Sequence, residues 1–167
     1  MGKGYGLICN DCGSSYEVFL GCGMGFPVEY KKLVQDIEAG CYGKEWQELA
    51  AQTEHFAIDA ENHLFRCENC GFWKCSPSLS IYAPKDVKKV LNTRYGEKTV
   101  REWGRAPYVM TADLKSDYTL VKERIHMCNH CGHDMRMFSD RGAAHAALKC
   151  PDCGGKLERG PYAFLWD

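Results

Sequence analysis

One short pattern occurs four times in this chain and constrains everything else. Cys-x-x-Cys-Gly appears at Cys9/Cys12, Cys67/Cys70, Cys128/Cys131 and Cys150/Cys153, each pair followed at once by Gly13, Gly71, Gly132 or Gly154. Eight of the 11 cysteines are used in this way. Two thiolates three residues apart grip one ion only where the backbone between them turns tightly. The residue behind the second cysteine then needs φ > 0, which glycine adopts at little cost. The N–H groups of such a turn point at the sulfurs and offset their negative charge. A reducing compartment favours metal over disulfides for so many thiols. The chain reads as cytoplasmic: Gly2 to Ile8 offers no apolar signal core or cleavage site, and no apolar stretch is long enough for a bilayer.

The spacing suggests how the pairs combine. Cys128-Asn129-His130-Cys131 is followed after 18 residues by Cys150-Pro151-Asp152-Cys153, a four-cysteine zinc pattern of ordinary length. The remaining pairs, Cys9/Cys12 and Cys67/Cys70, lie 54 residues apart and are read as a second site interrupted by an insertion. An internal repeat supports two half-chains. A shift of 119 residues lays Cys9-Asn10-x-Cys12-Gly13 with Phe19 over Cys128-Asn129-x-Cys131-Gly132 with Phe138. Cys67-x-Asn69-Cys70-Gly71 likewise corresponds to Cys150-x-Asp152-Cys153-Gly154.

On these residues both halves resemble zinc ribbons, in which two knuckles on β-hairpins hold one zinc. The whole chain is also similar to a family of bacterial zinc-ribbon proteins of uncharacterised activity. Those open with a knuckle and a Phe-Leu-Gly-x-Gly-x-x-x-Pro-like turn, here Phe19 to Pro27. The expected fold is a small metal-stabilised α+β protein: two tandem zinc ribbons of short antiparallel strands, with a helical insertion in the first. Residues 1–80 form the first ribbon, with the insertion at about 28–54; 81–106 form a basic helix and linker; 107–167 form the second ribbon.

Local patterns fill in the elements. Tyr5–Ile8 and Tyr16–Leu20 read as strands. Tyr30, Leu33, Val34, Ile37 and Cys41 fall at helical spacing, as do Trp46, Leu49, Ala50 and Thr53, with Gly40 and Gly43 between. His55–Asp59 and His63–Arg66 read as a hairpin turning at Asp59–Asn62. Tyr118–Met127 reads as one strand, and the apolar end Tyr162–Asp167 as core or an edge strand. Residues 85–105 hold seven basic and three acidic groups, net +4, whereas 29–61 hold three basic and eight acidic, net −5.

Two Zn2+ are the expected cofactors, one in each shell of four cysteines, with iron as the alternative because a tetrahedron of sulfurs suits either. A closed four-thiolate shell has no position for substrate, which points away from an enzyme. The expected role is a non-catalytic zinc-binding module for a macromolecular partner, protein or nucleic acid, with no membrane. Lys85, Lys88, Lys89, Arg94, Lys98, Arg101, Trp103 and Arg105 are the candidate partner surface, cations for phosphates and a ring for bases. A rubredoxin-like electron carrier and a thiol-redox or metal-responsive switch are the alternative functions, the latter using Cys22, Cys41 or Cys75. His130 and His133 flank a knuckle whose shell four cysteines already complete.

Overall fold

A computed structural model describes residues 2–92, 103–138 and 148–166. In chain order its elements are β1 (Gly2–Cys9), β2 (Ser15–Leu20), α1 (Phe26–Glu38), α2 (Lys44–Gln52), β3 (Ala57–Ile58), β4 (Asn62–Cys67), β5 (Trp73–Pro77), β6 (Ile81–Pro84), α3 (Val87–Asn92), α4 (Thr111–Asp117), β7 (Tyr118–Lys122), β8 (His126–Met127), β9 (Asp134–Phe138) and β10 (Leu157–Trp166). They build three antiparallel sheets, ordered β10-β1-β2, β5-β4-β9-β8 and β3-β6-β7.

The chain divides into two compact units, and neither is continuous in sequence. The knuckle unit is Met1–Gly23, Asn62–Pro77 and Ile125–Asp167; the helical unit is Met24–Glu61 and Ser78–Arg124. These bounds differ from the expected division at 1–80, 81–106 and 107–167: residues 81–92 supply β6 and α3, a short helix within the expected basic segment, to the helical unit.

In the knuckle unit alternation decides which face is buried. Tyr5, Leu7 and Cys9 of β1, Val18 of β2 and Leu157 of β10 are buried with Leu64 of β4 and Trp73 of β5. Trp73 Nε1 donates to Lys149 O at 3.0 Å, and its ring meets Tyr16 edge-on at 5.8 Å. An indole buried in this way keeps its N–H satisfied while its ring fills the core.

In the helical unit the expected helical spacing is realised. Tyr30, Val34 and Ile37 of α1 and Trp46 and Ala50 of α2 are buried, while Cys41 lies exposed between the helices. Pro27 stands in the first turn of α1, where its missing N–H leaves no bond unmade. Trp46 Nε1 donates to Leu79 O at 2.8 Å, and Tyr30 OH accepts from Ile58 N–H at 3.2 Å. The expected hairpin at Asp59–Asn62 does not form: β3 pairs with β6, and β4 pairs with β5 and β9. Phe56, Ala57, Ile58, Asp59 and Ala60 are all buried, so this run is interior and not a two-faced hairpin arm. The strand expected over Tyr118–Met127 is two strands, β7 on β6 and β8 on β9. Among the described residues no helix is long and apolar enough to cross a membrane.

Candidate metal centres

All four knuckles close in one way. The glycine N–H donates to the carbonyl of the first cysteine at 3.0, 2.9, 2.9 and 2.8 Å for Gly13, Gly71, Gly132 and Gly154. Each glycine has φ between 73 and 77°. A Cβ at Gly13, Gly132 or Gly154 would meet nothing within 4 Å. The left-handed backbone, and not lack of room, is what requires glycine there.

The knuckles do not combine as neighbours in sequence. Cys9 and Cys12 meet Cys150 and Cys153, and Cys67 and Cys70 meet Cys128 and Cys131. This corrects the expected sets Cys9/Cys12/Cys67/Cys70 and Cys128/Cys131/Cys150/Cys153. The same eight cysteines cluster, but their grouping is nested, first with fourth and second with third. Strand pairing is the physical reason. β1 enters the first knuckle and lies along β10, which leaves the fourth, with Cys9 opposite Leu157. β4 enters the second knuckle and lies along β9, which leaves the third, with Cys67 opposite Met135. Both clusters thus stand on the same ladder order, β10-β1-β2 and β9-β4-β5.

The sulfur geometry suits a four-coordinate ion. In the first cluster Cys9 Sγ is 3.5 Å from Cys153 Sγ, and Cys12 Sγ is 3.6 Å from Cys150 Sγ. In the second the corresponding separations are 3.5 Å for Cys67–Cys131 and 3.6 Å for Cys70–Cys128. Within each group the ligand atoms all lie within 4.8 Å of one another. A regular tetrahedron with metal–sulfur bonds of about 2.3 Å has edges of about 3.8 Å, close to these values. Each group can therefore hold a metal ion, with the first cysteine of every knuckle buried and the second more open.

Groups outside the tetrads orient the sulfurs. Tyr16 O–H points at Cys150 Sγ from 3.1 Å. Burial pushes the Cys150 thiol up, but this contact and backbone hydrogen bonds from Cys153 and Asp152 more than offset it, bringing it to about 6. Ser14 Oγ lies 3.3 Å from Cys12 Sγ and donates to Asp152 Oδ2 at 2.8 Å, so the two knuckles are also bridged outside the sulfurs. That bond, and then one from Tyr16, hold Asp152 below the usual carboxylate range. In the second cluster a backbone hydrogen bond from His133 draws the Cys131 thiol down to about 5, with help from the Asn69 side chain. Asn69 and Asp152 occupy the same position in their knuckles, and each reaches across to the opposite one.

Other residues singled out from the sequence lie elsewhere. His130 stacks on Phe72 at 6.3 Å, and His133 Nδ1 lies 3.1 Å from Cys131 O. Cys22 is buried, and Cys75 is half-buried against the main core of the knuckle unit. Lys85 Nζ donates to Ser116 O at 2.9 Å, Lys89 pairs with Asp117, and Lys88 is exposed. Arg105 pairs with Glu38 at 2.7 Å and stacks 4.4 Å over Phe56; Trp103 meets Tyr30 edge-on. Arg94, Lys98 and Arg101 lie outside the described residues. Sequence reasoning missed Tyr16, Ser14 and Asp152 as supports of the first cluster. Only the nested pairing brings Ser14 and Tyr16, just before and on β2, beside the fourth knuckle, so no local signal marks them. No family model matches the chain, and no curated protein or solved structure matches it.

Proposed function

We propose that the chain is a non-catalytic zinc-binding protein carrying one Zn2+ in each tetracysteine group, and that it works as an interaction module of the zinc-ribbon kind. The two four-thiol groups, each with sulfur separations of 3.5–3.6 Å, carry this reading. Zinc would supply two closed, redox-inert tetrahedral centres, each fixing two of the four knuckle turns. The chain's own residues hold the sulfurs and orient them from Tyr16, Ser14 and Asn69. Among the described residues each group has four donors, the number a closed tetrahedral shell takes. Structural zinc contributes on the order of 10 kcal/mol in small zinc peptides, comparable to a whole domain's net stability. The unit's apolar core is thereby supplemented where it is thinnest.

The partner is a protein in this reading. Among the described members of the basic run, Lys85, Lys89 and Arg105 already serve Ser116, Asp117 and Glu38. They are poorly placed to neutralise phosphates as well. Elemental analysis of the purified chain tests the proposal: two zinc ions per chain and no visible absorption are expected. A red protein with iron in both centres would make it an electron carrier instead. A protein that stays folded with less than one metal per chain would remove the reading altogether.

A further inference from the structure

The outer face of the β10-β1-β2 sheet carries a row of glycines, Gly2, Gly4 and Gly6, at alternate positions of β1. The first two are covered by the chain itself. A Cβ at Gly2 would run into the Trp166 ring, and one at Gly4 into the Phe164 ring. Phe19 of β2 closes over both, meeting each ring edge-on at 5.6 Å. Glycine on this strand is therefore a seat for an aromatic ring.

Gly6 continues the row and is uncovered. A Cβ there would find only Tyr16 O, at 4.0 Å. The ladder also changes at this point. Tyr5 faces Ala163 and Leu7 faces Arg159, so Gly160, Pro161 and Tyr162 all stand opposite Gly6. That bulge opens a groove of about 570 Å³, floored by Gly6 and Gly160 and walled by Ile8, Tyr162 and Phe164. Tyr162 is 79% exposed and Ile8 46%. Among the described residues the single charged side chain lining the groove is Glu17, itself exposed.

We infer that this groove is the docking site for a partner protein segment that presents one aromatic side chain with a lysine or arginine beside it. The ring takes the third glycine seat as Phe164 and Trp166 take the other two, and the cation faces Glu17. The volume suits one large side chain and its neighbours, and a buried ring is the usual anchor of such contacts. The carboxylate of Glu17 disfavours a phosphate backbone at the same place. This inference rests on the interaction-module reading. Metal content tests that reading separately, so a fully zinc-loaded chain that ignores every peptide sinks the groove alone.

The test is an NMR titration of the isotope-labelled, zinc-loaded full chain with the peptide acetyl-Gly-Lys-Trp-Gly-amide. Saturable shifts centred on Gly6, Gly160 and Glu17 are expected. The Trp→Ala peptide should weaken binding about tenfold or more, and the Lys→Glu peptide about threefold. In the protein, Gly6→Val, whose Cβ would meet only Tyr16 O at 4.0 Å, fills the seat and should abolish the shifts while two zinc ions stay bound. Tyr162→Ala, a change at an exposed wall, guards against a folding defect in the first variant and should weaken binding as well. No binding, binding that survives both substitutions, or a single-stranded oligonucleotide shifting the same resonances in place of the peptide would each overturn the inference.

Discussion

Among the described residues, Cys9 and Cys150 are buried together with Tyr5, Leu7, Val18, Leu64, Trp73, Leu148 and Leu157, whereas Cys67 and Cys128 are buried with Phe65 and Met135, with Phe72 and Cys131 half-buried against them. The ladders beneath the two clusters have the same order, and among the described residues the first registers seven residue pairs between β1 and β10 and the second four between β4 and β9. Among the described residues the first centre is thus part of the knuckle unit's main core, and the second belongs to a smaller separate cluster. The difference teaches that identical knuckles need not be equivalent centres. Leu64 and Trp73, on strands that frame the second cluster, are held by the core of the first.

That asymmetry is open to direct attack, and removing a ligand should give the largest effect. Cys150→Ser should abolish metal at the first centre and lower occupancy of the second, because Leu64 and Trp73 lose the core they pack into. Cys128→Ser should leave one metal per chain, in the first centre. Each loss is on the order of 10 kcal/mol of apparent binding free energy. Mass spectrometry under native conditions counts the ions, and equal behaviour of the two variants would erase the distinction.

Trp73→Ala comes next. It removes a 7% exposed ring and the hydrogen bond to Lys149 O, and should cost about 3–5 kcal/mol, read as a fall in denaturant midpoint. Although Trp73 lies on β5, the first centre should loosen with it, seen as faster transfer of its metal to a chromogenic chelator. Tyr16→Phe should act at the first centre alone. Loss of the hydroxyl 3.1 Å from Cys150 Sγ lowers metal affinity there about 10–100-fold and leaves the second centre unchanged. The smallest effect belongs to the knuckle turns: Gly13→Ala and Gly71→Ala should each cost about 1–2 kcal/mol in thermal or denaturant unfolding. Both glycines have φ of 77°, so unequal costs would measure how much the surrounding core amplifies the same strain.

The parts of this molecule that were legible in the sequence are those fixed by short-range physics. The eight clustered cysteines follow from the Cys-x-x-Cys-Gly turn, which needs only five residues. Helices α1 and α2 follow from Tyr30, Val34, Ile37, Trp46 and Ala50, whose spacing repeats within one element. The grouping of the knuckles was not legible. Loop closure penalises separation only logarithmically. The difference between the 18 residues separating Cys131 from Cys150 and the 137 separating Cys12 from Cys150 is worth about 2 kcal/mol. A ladder such as β1–β10 offsets that, so proximity in sequence is a weak guide to which turns meet. The repeat itself is compatible with either grouping: each observed centre still combines one knuckle of the first kind with one of the second. The run His55–Asp59 misled for a related reason, since a strand buried on both faces shows no alternation to mark its partner.

The central claim, two ions held by nested pairs of knuckles, is tested most directly by substituting the protein with an NMR-active cadmium isotope and correlating each metal with the β-protons of its cysteines. One cadmium should connect to Cys9, Cys12, Cys150 and Cys153, and the other to Cys67, Cys70, Cys128 and Cys131. A cadmium connected to Cys9, Cys12, Cys67 and Cys70 would contradict it.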